Sequence, residues 1–126
     1  MITEDYVSFE TAKLLKKKGF DCPSYSHYRL DNGELCRFNT NCSTNLEQNN
    51  YVTAPTLQMA MKWLREVHNI HVVPKYDFYG GDYTGRIYDG RRETAYERDD
   101  YIAIVGNSTY EQACEAAIKY CLEKLI

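Results

Sequence analysis

The sequence predicts an α+β fold. One domain spans residues 1–126, with three helices packed on a small, mainly antiparallel sheet of about five strands, in the order α-β-β-α-β-β-β-α. Three observations carry this. Leu57–Val67 and Tyr110–Leu125 repeat apolar residues at helical spacing. Asn32-Gly33 stands between two alternating runs, the pattern of a β-hairpin. Short strands joined by short turns and punctuated by helices favour antiparallel pairing over βαβ crossovers.

The first helix is predicted over Phe9–Lys18, capped by Ser8 and stopped by Gly19. Leu14, Thr11, Leu15 and Ala12 fall on one side, Glu10, Lys13 and Lys17 on the other. Lys16-Lys17-Lys18 sits in the last turn, where cations complement the helix dipole. The hairpin strands follow at Tyr25–Asp31 and Glu34–Phe38. A two-residue Asn32-Gly33 turn of type I′ sets His27 opposite Phe38 and Arg29 opposite Cys36. The Asn-rich stretch from Asn39 to Asn50 reads as a long surface loop.

The second helix is predicted to begin at Pro55, since proline is pre-organised for the first helical position. Leu57, Met61, Leu64, Ala60, Val67 and Trp63 make a wide apolar face, and Gln58, Lys62, Arg65 and Glu66 a narrow polar back. Asn69 ends the helix in a left-handed turn. A strand then alternates Ile70, Val72, Pro74, Tyr76 and Phe78 with His71, Val73, Lys75 and Asp77. Pro74 cannot donate to a ladder, which marks an edge or bulged strand. A short strand is expected near Thr84–Tyr88, then a charged connection, Asp89–Asp100. Tyr101–Val105, "YIAIV", is continuously apolar and reads as a central strand. The last helix carries Tyr110, Cys114, Ile118, Cys121, Leu122 and Leu125 on one face, with Ser108 and Glu111 at capping-box spacing.

Bulk properties bound the function. The 126 residues suit one domain, and a net charge of −3 offers no global basic field for nucleic acid or an anionic membrane. No apolar run reaches the roughly 20 residues of a membrane span. The acidic start "MITEDYVSFE" predicts no signal peptide. Five cysteines without a CxxC pair suit free thiols in a reducing compartment, so a cytoplasmic protein is expected. Asn41-Cys42-Ser43 and Asn107-Ser108-Thr109 match the glycosylation sequon, which matters only in a secreted chain.

"MITEDYVSFETAKLLKKKGFD", "APTLQMAMKWLREVHNIHV" and "YEQACEAAIKYCLEKLI" resemble a group of small uncharacterised proteins carried by bacteriophages and prophage-like elements of gut bacteria. The resemblance covers the three helices and the start of the strand after Asn69. It implies a bacterial cytoplasm and an accessory role. It brings no activity, and no catalytic or binding residue.

Candidate chemistry is sparse. His68 and His71 are three apart across a helix–strand boundary, not the i, i+4 pair of a zincin helix. His68 reads as a packed residue suited to the helix dipole. Cys22, His27, Cys36 and Cys42 lack the paired spacing of a zinc knuckle, so no metal or cofactor is expected. Cys114 and Cys121 read as buried, inert thiols. No GxSxG, P-loop or GxGxxG occurs, and no catalytic residue is expected.

The functional hint lies in Lys75–Tyr101, which mixes tyrosine and arginine, the residues enriched at interface hot spots. Tyr79, Tyr83, Arg86, Tyr88, Arg91 and Arg92 are the candidate interaction surface. Five Lys/Arg against seven Asp/Glu in this segment argue against a nucleic-acid partner. The sequence reads as a non-catalytic interaction module that binds a partner protein or itself, possible homodimers included. The alternative is a small-metabolite or nucleotide-binding, sequestering protein.

Overall fold

The structure, a computed structural model, describes residues 2–42, 50–105 and 109–126, with the side chains of 39–42 and 105 left aside. Both sequons, the polar loop after Cys42 and the predicted cap at Ser108 fall wholly or partly outside the described residues. The fold is α+β, and the chain divides into two compact units, Met1–Thr56 and Leu57–Ile126.

The first unit contains α1 (Phe9–Lys17), β1 (Ser24–Arg29), β2 (Leu35–Cys42) and β3 (Tyr51–Thr53). As expected, Ser8 caps α1: its hydroxyl accepts from the Thr11 N–H at 3.2 Å. Gly19 follows at φ +97°, and Thr11, Ala12 and Leu15 are buried. The three strands form an antiparallel sheet in the order β2-β1-β3. The Tyr28 hydroxyl donates to the Val7 carbonyl, and its ring lies 5.6 Å from Phe9, so the strand and the helix start are tied together.

The hairpin register differs from the expected one by two residues. His27 pairs with Cys36, and Arg29 N–H donates to Glu34 O. A type I′ turn needs positive φ at both Asn32 and Gly33. Only Gly33 has it, at +71°. The chain instead makes a four-residue loop, Leu30–Gly33, closed by Gly33 N–H donating to Arg29 O at 2.8 Å. The Asn32 Oδ1 accepts from Glu34 N–H, and Arg29 pairs with Asp31. A shift of two keeps every side chain on its intended face.

β3 lies between the predicted loop, which ends at Asn50, and the predicted helix start at Pro55, in residues to which the sequence assigns no element. Three residues are too few for an alternation signal. Asn50, at φ +65°, turns the chain in, and its carbonyl accepts from Leu30 N–H at 2.8 Å. Pro55 is not the first residue of the next helix. It is fully buried and its carbonyl accepts from Val7 N–H, while Thr56 bridges to Tyr6.

The second unit contains α2 (Leu57–His68), β4 (Ile70–Asp77), β5 (Asp82–Asp89), α3 (Ala95–Asp99), β6 (Tyr101–Val105) and α4 (Tyr110–Tyr120). α4 opens into a π-helical turn, Cys121–Leu125, closed by Ile126 N–H on Cys121 O. The described residues thus hold four helices and two three-stranded sheets, not three helices on one sheet of five strands. α3 was missed although Thr94 and Glu97 form a complete capping box. α4 is capped by Thr109 with Gln112, one residue later than the Ser108–Glu111 pair.

Strand order is β4-β5-β6, antiparallel throughout. β4 is an edge, as Pro74 implies. "YIAIV" is the other edge, and β5 is the centre. The reason is Gly85. A Cβ there would stand 2.9 Å from both the Ala113 carbonyl and the Ala117 Cβ, so α4 rests directly on the middle of β5. Ile70, Val72 and Ile87 meet Ala113, Cys114, Ala117, Ile118, Cys121 and Leu122 in the core, with Leu57, Ala60, Met61, Trp63 and Leu64 from α2. Val67, placed on the apolar arc by its angle, is exposed. Each fully buried Leu or Ile contributes about 1.5–3 kcal/mol relative to exposure.

Candidate functional site: the open face of the second sheet

Directly opposite residues of an antiparallel pair share a face. The register therefore divides the β4-β5-β6 sheet into two sides. Val72, Ile87 and Ile102 form one row toward the helices, and Pro74, Gly85 and Ile104 the next. The other side carries His71, Tyr88 and Tyr101 in one row, Val73, Arg86 and Ala103 in the next, then Lys75 and Thr84. Within this unit α2 and α4 pack on the first side. On the second, Val73 is 45% and Tyr101 42% exposed.

The middle of this open face is cationic and aromatic. The Arg86 guanidinium lies 4.3 Å from the centre of the Tyr101 ring, a cation–π contact worth about 0.5–1 kcal/mol at an exposed site. Tyr88 and Tyr101 rings are 5.5 Å apart. An open groove of about 530 Å³ runs between Lys75, Thr84, Arg86, Tyr101 and Ala103, bordered at the turn end by Asp77, Phe78 and Tyr79. A second, of about 590 Å³, lies between Asn69, His71, Tyr88, Gly90 and Arg98. Phe78 and Tyr79 are 82% and 96% exposed on the β4–β5 turn, two large aromatics with little to cover them.

The six residues singled out from sequence are not all brought together. Arg86 and Tyr88 are neighbours on the open face. Tyr79 stands on the turn beside the groove. Tyr83 points to the helix side, where its ring lies 5.2 Å from Tyr76 and 5.5 Å from Tyr110. Arg91 grips Asp89 with two nitrogens, at 2.8 and 2.9 Å, and reaches the Leu125 carbonyl at 3.2 Å. That grip holds the Asp89 carboxyl below the usual carboxylate range. Arg92 holds α3 through the Glu97 carbonyl at 3.0 Å. Sequence reading missed Val73, Lys75 and Ala103. Following the two-residue alternation through all three strands in register would have found them.

His68, Cys114 and Cys121 have packing roles. His68 stacks edge-on against Trp63 with centroids 4.7 Å apart. Burial, then the nearby Arg91 charge, pushes its imidazole below the ordinary value. The neutral form is favoured, so burial rather than the helix dipole governs this side chain. His71 Nε2 lies 2.8 Å from Asn69 Oδ1. Burial pushes the Cys114 thiol up to about 11 and Cys121 to about 12. His27 and Cys36 are direct cross-strand partners, yet no group of three His, Cys, Asp or Glu gathers among the described residues. No described helix is long and apolar enough to cross a membrane. The chain matches no protein-family model, no curated protein and no solved structure.

Proposed function

We propose that this chain is a non-catalytic binding module that docks a partner protein on the open face of the β4-β5-β6 sheet. The observation that carries it is that face itself: Val73, Arg86, Tyr88 and Tyr101 in register across three strands, on the side away from α2 and α4. Tyrosine and arginine in such a patch are typical binding anchors, since they offer large contact area at small entropy cost. Functional pKa perturbation gathers where chemistry is done. Here the shifted groups of the second unit, His68, Asp89, Arg91, Cys114 and Cys121, serve a turn or the core. The resemblance to phage-borne proteins supports an accessory role in a bacterial cytoplasm.

A second reading, a small-metabolite or nucleotide binder, is favoured by the groove that joins Lys75 and Arg86 to the Tyr101 ring. Small-ligand sites enclose most of their ligand, whereas this groove is open along the sheet. A retained ligand would add mass in native mass spectrometry, with absorbance near 260 nm for a nucleotide.

The test replaces Tyr88 and Tyr101 together by Ala and uses both proteins as bait in a bacterial lysate, with self-association followed by light scattering. The partner protein, or the dimer, is expected to bind the variant at least about tenfold more weakly, because hot-spot truncations cost about 2 kcal/mol or more. Circular dichroism should stay unchanged. A folded variant that associates like the wild type places the contact elsewhere.

A further inference from the structure

The Lys75–Tyr101 segment is net acidic, yet on the open face the carboxylates Asp77 and Asp82 stand at the turn end, and Arg86 stands farther along. Asp89 turns to the helix side and is held by Arg91. Glu97 is used in the α3 capping box, and Asp100 accepts from Tyr101 N–H and lies 3.9 Å from Arg92. Asp77 and Asp82 pair at the turn end of the open face, and both reach toward Gly80. Lys75, Arg86 and Arg98 are left along the rest of it, none in an ion pair with a carboxylate among the described residues. Arg98 donates to the carbonyls of Arg92 and Glu93, which spend hydrogen bonds but cancel no charge.

Resting on the protein-docking reading above, we infer that the open face takes an acidic, extended segment of the partner protein, with carboxylates at alternate positions. The charge complement is Lys75 and Arg86. Lys75 stands opposite Thr84, and Arg86 is two residues further along β5. Such a diagonal pair is separated by roughly 7 Å between Cβ atoms. Side chains two apart on an extended peptide are separated by about the same, roughly 6.6 Å. One carboxylate then meets Lys75 and the next meets the edge of the Arg86 guanidinium, whose flat face stays on Tyr101. The grooves flanking Arg86 and Tyr88 extend the track toward Arg98. Asp77 and Asp82 repel an acidic chain at the turn end, which fixes where the segment must stop.

The probe is a fluorescein-labelled eight-residue peptide alternating Glu and Thr, titrated with the full chain and followed by anisotropy. Its companions are the Gln/Thr and Lys/Thr peptides and an eight-nucleotide oligothymidylate. The Glu/Thr peptide is expected to bind at least tenfold more tightly than the Gln/Thr peptide, and to weaken as salt rises. In the Lys75→Glu/Arg86→Glu variant the preference should reverse, so that the Lys/Thr peptide binds better. That gain shows the variant to be folded. Equal binding of the Glu and Gln peptides overturns the acidic preference while leaving a peptide-docking face. No saturable binding of any peptide overturns the inference, leaving protein docking to the lysate test. Oligothymidylate binding more tightly than the Glu/Thr peptide overturns both the inference and the protein-docking reading, in favour of a nucleic-acid face.

Discussion

Gly85→Ala tests the packing on which the second unit rests. The added Cβ would stand 2.9 Å from the Ala113 carbonyl oxygen and 2.9 Å from the Ala117 Cβ. Non-bonded carbon contacts are comfortable at about 3.5–4.0 Å, so the sheet and α4 must separate by roughly half an ångström or more. One of the two obstacles is helix backbone, which cannot rotate away. Overpacking of this kind costs about 1–3 kcal/mol. The smaller conformational entropy of Ala in the unfolded chain offsets about 0.4–1 kcal/mol. A net loss of about 1–2 kcal/mol is expected. Trp63, the single tryptophan, is buried in the same unit, so its fluorescence reports this unit during urea unfolding. With a slope of roughly 2 kcal/mol per molar urea, the midpoint should fall by about 0.5–1 M. Ala117→Gly removes one of the two clashes. The double variant should therefore be more stable than the sum of the two single losses, with a coupling of about 0.5–1 kcal/mol. A Gly85→Ala protein as stable as the wild type would show that α4 does not rest on β5, and the two-sided division of the sheet would fall with it.

Other perturbations separate core from surface. Trp63→Ala and Leu64→Ala should cost about 2–5 kcal/mol, whereas Lys62→Ala and Glu66→Ala, both exposed, should stay within about 0.5 kcal/mol; urea midpoints decide this. Folding holds His68 below its ordinary pKa, so the unfolded chain binds more protons as pH falls through about 6.5. The His68 contribution is thus complete above that pH and declines below it; His68→Gln should flatten this part of the stability–pH curve, and an unaltered slope would contradict its burial. Iodoacetamide at pH 8 should label Cys22 and Cys36 in the native protein, both half-buried, and spare Cys114 and Cys121, whose thiols are buried and pushed up to about 11 and 12. Peptide mapping by mass spectrometry reads the outcome.

Three of the four described helices were legible because each announces itself locally through an apolar arc, a cap or a stop; α3, five residues with none buried, has no such arc. Ser8, Asn69 and the face from Cys114 to Leu122 appear as the sequence indicates. What was hidden depends on partners distant in sequence. "YIAIV" looks central by composition, but position in the sheet is set by which strand α4 lies on, and that is signalled by a glycine, a residue with no side chain to read. β3 is too short for a pattern. Summing charge over Lys75–Tyr101 concealed where the charges stand: on the open face Arg86 lies mid-strand and the Asp77–Asp82 pair at the turn end. Arg91 and Arg92 carry the same side chain as Arg86, yet local carboxylate and carbonyl partners commit them to holding the turn and α3. Those partners, not the residue type, tell the uses apart.

The junction between α2 and β4 has an evolutionary consequence. Asn69 holds a left-handed conformation at φ +53° while its amide donates to the Gly90 carbonyl and its own carbonyl accepts from Gly90 N–H, at 2.9 and 2.8 Å. A Cβ on Gly90 would stand 2.5 Å from the Asn69 Oδ1. The two positions are coupled: a side chain at Gly90 must displace the Asn69 amide, and losing that amide removes one of the two bonds that close the turn after β5, the backbone bond remaining. Across any lineage descended from this fold, the two positions should be inherited as a pair, changing together or not at all, while the tyrosines of the open face remain free to track whatever they bind.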